Sequence, residues 1–212
     1  MAEEKKLLIA GVDEAGKGCL LGSLVFGCTL FYDDGTLERL RVNDSKKLSP
    51  KRREELYEKI IDSALDTQIL EFTASHLNDY HYKKGLTMNE IEVLGFSMVL
   101  NSLSPKPDKI FLDAADTNAQ RFGKLIGERL TWKPVIVSEH KADAKFPVVS
   151  ASSIVAKVER DRMYASLGYP GSGYPADRKT MDWVEEEYRK HKTFPKHTRT
   201  FWKTVDNIKN AF

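Results

Sequence analysis

The sequence predicts an α/β fold, a mixed sheet covered by helices and followed by a helical tail. Three observations carry that prediction. Five segments read as strands, at Lys6 to Val12, Leu20 to Tyr32, Thr67 to Ser75, Lys109 to Leu112 and Pro134 to Val137. Stretches with helical spacing alternate with the later runs, in the order strand, strand, helix, strand, then helix, strand, helix, strand, helix. No apolar run approaches the roughly 20 residues needed to cross a bilayer.

The elements follow in order. The first run is a buried strand that ends at Asp13 and Glu14. After Gly16-Lys17-Gly18 the long Val, Leu and Phe-rich run fits a second strand paired with the first, closed by the turn residues Asp33-Asp34-Gly35. Ser49-Pro50 starts a helix, with Leu56 and Ile60 facing inward. Thr87 and Glu90 form a capping-box pattern ahead of Ile91, Leu94 and Met98, spaced as one helix face, and Pro105 and Pro107 end that helix. Asp116 or Thr117 is the expected cap of the next helix, with Phe122, Leu125 and Ile126 facing in. A helical stripe continues from Ala151 through Ile154, Val155 and Val158. The glycine and proline loop GYPGSGYP spans 168–175. Two helices should follow it, near Asp177 to Lys190 and Thr198 to Ile208, and Trp183 and Trp202 read as packing residues.

A chain of 212 residues can bury roughly 70% of its unfolded surface without staples. With 41% hydrophobic and 30% charged residues, it has the composition of a soluble globular protein. The N-terminus lacks the pattern of a secretory signal, so a cytoplasmic location is expected. Cys19 and Cys28, the only two cysteines, lack metal-like spacing and read as reduced core residues. The net charge of +2 says little, but its distribution says more. Arg189, Lys190, Lys192, Lys196, Arg199, Lys203 and Lys209 face one acid, Asp206, over the last stretch, which suits either a solvated helix face or a polyanion.

Acids recur at strand ends. Asp13 and Glu14 close the first strand, Asp113 closes the Lys109 to Leu112 strand, and Asp143 precedes the helix bearing Ile154. Sites in α/β sheets gather at strand ends, where loops project side chains into a shared crevice. Four carboxylates converging there would repel unless cations neutralised them. Oxygen-only ligands select Mg²⁺ or Mn²⁺, and two such ions can activate a water and stabilise a leaving oxygen in phosphodiester cleavage. Taken singly, each acid is more often a solvated loop residue than a ligand. The stretch Gly11 to Gly18 also comes within one residue of a phosphate-binding P-loop, but Gly18 stands where Ser or Thr is needed. Asp13 and Glu14 would put negative charge inside such a cradle, and a β-rich run follows in place of a helix.

Six segments together resemble one family, the type 2 ribonucleases H (ribonuclease HII). GVDEAGKGCLLGSL resembles its DEAGRG signature, NDSKKLSPKRREEL its DSKKLS segment, FLDAAD the strand with its third acid, and KADAKFPVVSASSIVAKVERD the segment with its fourth. SGYPAD and RTFWKT look like the archaeal branch. The matches run in family order from near residue 8 to near residue 204. The resemblance implies an RNase H-like core, a mixed five-stranded sheet flanked by helices, over residues 1–168, with a C-terminal helical extension for substrate binding over 169–212.

It further implies that Asp13, Glu14, Asp113 and Asp143 form an acidic tetrad that is catalytic and holds divalent metal, Mg²⁺ or Mn²⁺. The substrate implied is an RNA/DNA hybrid or a ribonucleotide within duplex DNA, cut on the 5′ side of the ribonucleotide to leave 3′-hydroxyl and 5′-phosphate ends. By the same resemblance Gly16, Lys17 and Gly18 bring backbone groups to the 2′-hydroxyl that tells RNA from DNA, the two glycines allowing close approach. Tyr174 matches a tyrosine that stacks on the sugar, and Lys46, Arg199 and Lys203 would line a basic track. Lys17 departs from the usual arginine, keeping the charge but losing the bidentate fork. The family suggests a monomer. Two rivals are a DNA nuclease of the same superfamily, such as a resolvase or transposase-like enzyme, and a non-catalytic duplex-binding protein. The DSKK and SGYP segments argue against the first and the presence of all four acids against the second.

Overall fold

The structure is a computed structural model that describes residues 6–42 and 48–212. Its five strands are β1 (Leu8–Ala15), β2 (Leu24–Tyr32), β3 (Asp66–Phe72), β4 (Lys109–Asp113) and β5 (Val135–Glu139), ordered β3-β2-β1-β4-β5 in one sheet. β1 pairs β4 in parallel and β4 pairs β5 in parallel. The Asp33 amide donates to the Leu7 carbonyl, which sets the end of β2 against the start of β1. That pair is therefore antiparallel and the sheet mixed, as the sequence predicts. The helices are α1 (Thr36–Leu40), α2 (Pro50–Ser63), α3 (Ala74–Tyr82), α4 (Met88–Ser102), α5 (Ala119–Gly127), α6 (Ala142–Lys145), α7 (Pro147–Ser166), α8 (Arg178–His191) and α9 (Lys203–Ala211).

Local chemistry explains most starts and stops. Ser49 accepts from the Arg52 amide with Pro50 at the first helical position, and Leu56 and Ile60 are buried below it. Thr87 and Glu90 exchange the reciprocal bonds of a capping box. Four expectations need correction. β1 runs to Ala15, so Asp13 and Glu14 lie inside the strand. Asn118, and neither Asp116 nor Thr117, caps α5, because the Asp116 carboxylate is already engaged by the Asn118 amide and the Arg121 guanidinium. On α4, Met98 is 43% exposed. The helix is rotated because the Phe26 ring presses on Gly95, where an added Cβ would come within 2.2 Å of it. The last helix starts at Lys203, since residues 198–202 are engaged with the glycine turn near residue 16.

The chain divides into two compact units that interleave along the sequence. One comprises Met1–Ala15, Phe26–Leu70 and Glu92–Val158; the other comprises Gly16–Val25, Glu71–Ile91 and Glu159–Phe212. Residues 169–212 thus group with two earlier segments, a partition the chain order alone does not give. The first unit packs Ile9, Phe31, Leu56, Ile60, Val149 and Ile154 into its core. The second packs Leu20, Leu21, Tyr164, Val184, Val205 and Ile208, with Trp183 and Trp202 against them. Cys19 and Cys28 are buried and unpaired with each other.

In the first unit α7 packs directly on strand backbone. A Cβ on Gly11 would meet the Val148 carbonyl oxygen at 2.3 Å, and one on Gly27 the Ser152 carbonyl at 2.5 Å. The Ser152 hydroxyl donates to the Gly11 carbonyl at 2.8 Å. Backbone against backbone leaves no side chain that could yield. Gly11→Ala should therefore cost at least about 1–3 kcal/mol as overpacking, read as a lower melting temperature by calorimetry. A wild-type melt in that variant would contradict this packing.

Candidate active site

The parallel register pairs Val12 with Leu112, so the next residues on the two strands, Asp13 and Asp113, come side by side. Neighbouring positions on parallel strands share a face of the pleat. Asp143 arrives from the other direction, as the second residue of α6 just after β5. The Ala142 amide donates to the Asp113 carboxylate at 3.0 Å, which ties α6 to the end of β4. One carboxylate oxygen from each of Asp13, Asp113 and Asp143 lies within 4.8 Å of the others.

Asp13 and Asp143 are buried, 4% and 3% exposed. Burial, then the neighbouring Asp113 and more weakly Asp143, push the Asp13 carboxyl up from 3.8 to about 7, against hydrogen bonds from Ser153 and the Glu14 amide. Three oxygen donors at this spacing, too costly to ionise together without a counter-charge, have the chemistry of a hard divalent cation site. Glu14 is not one of the three, as befits consecutive residues on a strand, whose side chains alternate between faces. Its carboxylate nonetheless has a buried oxygen. Ser153, which sequence patterning does not single out, bonds to Asp13 because the close seat of α7 brings it there.

The second unit holds the glycine segment. The Cys19 amide donates to the Gly16 carbonyl, closing a turn over 16–19. The two glycines do different work. Gly16 has φ +91° and a Cβ there would meet the Ser23 carbonyl at 2.6 Å, so the turn itself requires it. Gly18 is exposed, and an added Cβ would meet nothing within 4 Å, so the space beside it is open. Lys17 is half-buried.

The C-terminal segment fixes this turn from within the same unit. The Arg199 amide donates to the Leu20 carbonyl, the Gly22 amide to the His197 carbonyl, and the Trp202 indole to the Cys19 carbonyl. The Arg199 guanidinium donates to the carbonyls of Gly22 at 3.0 Å and Lys17 at 2.8 Å. Arg199, expected on the basic track, is fully buried, with its Nε and Nη1 engaged by backbone carbonyls. Lys203 is exposed at the start of α9. Tyr174 is half-buried in the loop before α8, and burial first of all pushes its hydroxyl up to about 12. Lys46 lies outside the described residues.

Known proteins share this architecture. The family model for Ribonuclease HII matches residues 10–205. A ribonuclease HII of Thermococcus sibiricus is 46% identical over 207 residues, covering 94% of this chain and 90% of that protein. The crystal structure of the ribonuclease H2 from Pyrococcus horikoshii OT3 superposes with a TM-score of 0.89 at 41% identity, covering 97% of this chain and 98% of that one. The ribonuclease HII solved in complex with PCNA from Archaeoglobus fulgidus superposes with a TM-score of 0.84 at 37% identity, over 93% and 96% of the two chains. No helix among the described residues is long and apolar enough to cross a membrane.

The raised Asp13 carboxyl has a consequence for stability. Its folded pKa of about 7 exceeds the ordinary 3.8, so the folded chain holds that proton more tightly than the unfolded one. Without metal, stability should fall as pH rises from about 4 to about 7, with the loss complete above that. A divalent cation bound to the folded state would offset the loss. Thermal melts should show a metal-induced rise of several degrees at pH 8 that shrinks towards pH 5. A rise of equal size at both pH values, or none at either, would refute an ion site built on these three acids.

Proposed function

The chain belongs to the ribonuclease HII family, and from that premise we propose that it is an endoribonuclease of RNA/DNA hybrids and of single ribonucleotides embedded in duplex DNA. It cuts on the 5′ side of the ribonucleotide and leaves 3′-hydroxyl and 5′-phosphate ends. The observation that carries this reading is the meeting of Asp13, Asp113 and Asp143 oxygens within 4.8 Å, on a chain of a family named for ribonuclease H activity.

Asp13, Asp113 and Asp143 would hold divalent ions, Mg²⁺ or Mn²⁺, with Glu14 as the fourth acid. Such ions, when bound, lower the barrier to phosphodiester hydrolysis by activating the attacking water and stabilising the departing 3′ oxygen. The chain's own groups set the frame for that chemistry. Ser153 and the Glu14 amide orient the Asp13 carboxylate, and the Ala142 amide orients Asp113.

Ribonucleotide recognition falls to the second unit, with residues 169–212 contributing to substrate binding. The open space beside Gly18 lets backbone reach a 2′-hydroxyl, the group that separates RNA from DNA. Tyr174 packs on the sugar, while Lys17, Lys46 and Lys203 meet phosphates. Arg199 serves indirectly, by holding the Lys17 carbonyl. The enzyme acts as a monomer.

Asp13→Asn keeps the shape of the side chain but removes the charge. Cleavage of a duplex carrying one ribonucleotide should drop at least about a hundredfold, while duplex affinity in a gel-shift assay stays within a few-fold. End mapping of the wild-type products should give 3′-hydroxyl and 5′-phosphate termini. Undiminished cleavage by the variant would refute the assignment.

A further inference from the structure

Arg160 sits on α7 within the second unit, only 2% exposed, and neither the acid cluster nor the phosphate contacts involve it. Its Nη2 donates to the Cys19 sulfur at 2.8 Å and to the Ser172 carbonyl at 2.6 Å. Its Nη1 donates to the Asp161 carboxylate at 3.1 Å. The guanidinium also lies against two aromatic rings, Tyr164 at 4.9 Å and Tyr174 at 4.8 Å.

The same side chain underlies both glycine turns. A Cβ on Gly16 would stand 3.4 Å from its Cγ, and one on Gly173 would stand 2.9 Å from Nη2. Tyr164 is anchored in turn, its hydroxyl donating to the Pro170 carbonyl at 3.1 Å. One guanidinium therefore touches the residue that closes the 16–19 turn, the carbonyl two residues before Tyr174, and the Tyr174 ring.

Burying a guanidinium is costly, and an apolar side chain of similar length would fill the space with less desolvation. Arg160 Nε, moreover, is a buried donor with no acceptor. What arginine supplies and an apolar chain does not is a rigid planar fork with fixed donor directions and a face that stacks on rings. That is a device for fixing distances between separate segments.

We propose that Arg160 is a positioning residue for ribonucleotide recognition, holding the Gly16–Gly18 turn and the Tyr174 ring at one fixed separation. The inference rests on the reading that this turn senses the 2′-hydroxyl while Tyr174 packs on a sugar. Two contacts made to one short stretch of backbone are productive only if their spacing is right. A displacement of about 1 Å can cost on the order of a hundredfold in rate.

The test is a double-mutant cycle on the full-length chain with Mn²⁺, using duplex DNA that carries one ribonucleotide. Arg160→Lys keeps the charge and removes the fork. It should lower kcat/KM by about 30- to 100-fold, chiefly through kcat. In a Tyr174→Ala background the same change should add less than about threefold, because the ring it positions is gone. A role confined to stability would cut activity by the same factor in both backgrounds. That equality, or wild-type kcat/KM in Arg160→Lys, overturns the proposal. Should Arg160→Lys fail to fold, Cys19→Ala removes one acceptor of the fork and should show the same dependence on Tyr174; independence from Tyr174 overturns the proposal equally. A wild-type chain that leaves the lone ribonucleotide intact overturns the underlying reading and the proposal with it. A wild-type chain that cuts there, with no coupling between the two residues, overturns the proposal alone.

Discussion

Two adjacent strands that run in the same direction, with Val12 opposite Leu112, leave Asp13 and Asp113 no way to avoid each other. At the 4.8 Å within which their oxygens lie, two ionised carboxylates repel by about 3–4 kcal/mol at an effective dielectric near 20. Asp143 adds a third charge and burial removes the water that would screen them. Hydrogen bonds from Ser153 and from the Glu14 amide return only part of that cost, as the rise of the Asp13 carboxyl to about 7 records. The rest of the first unit enforces the arrangement. Gly11 and Gly27 let α7 press directly on strand backbone, Ser152 bonds to the Gly11 carbonyl, and α6 is tied to Asp113 through its first amide. These contacts hold the acids together, and a divalent cation is the counter-charge that their oxygens suit.

The second unit shows the same physics with the sign reversed. Arg160 and Arg199 are buried cations whose partners are mostly neutral: carbonyls, a sulfur and aromatic rings. Burial above all lowers the Arg199 guanidinium to about 10, still charged at neutral pH. Each fork spans segments far apart in sequence and fixes backbone, whereas a surface arginine would serve as a mobile phosphate contact. Charged groups held away from water at a loss are a mark of sites where geometry matters more than stability. In one unit the loss calls for a cation; in the other it sets the shape of a turn and a loop.

Local signals in the sequence sufficed wherever the cause was local. The Ser49 cap with Pro50, the Thr87–Glu90 box, the loop before α8 and the five strands all follow from residues a few positions apart. What escaped were features decided across the chain. The partners of the Arg199 side chain are 177 and 182 residues away, so a run of basic residues around it read as surface. The turning of Met98 outward was set by Phe26 meeting Gly95, and no helical periodicity records that contact. Asp13 and Asp113 were legible as acids on strands and Asp143 as an acid ahead of a helix, but only the parallel register says that the first two share one face. Glu14 is not among the three acids whose oxygens meet within 4.8 Å, a distinction that the adjacent letters Asp-Glu conceal. Arg160 carried no signal, being one arginine in a helical stretch rich in charge.

The same distinction between buried contacts and side-chain grip bears on the lysine at position 17. The conformation of its turn is set by Gly16 at positive φ, by the Cys19 amide on the Gly16 carbonyl, and by Arg199 on the Lys17 carbonyl. None of these involves the side chain of residue 17. Exchange of arginine for lysine there leaves the backbone that would meet a 2′-hydroxyl where it was, while trading a planar bidentate grip for a point charge. The geometry of the turn is thus built into buried contacts, and none of those contacts depends on the side chain of residue 17.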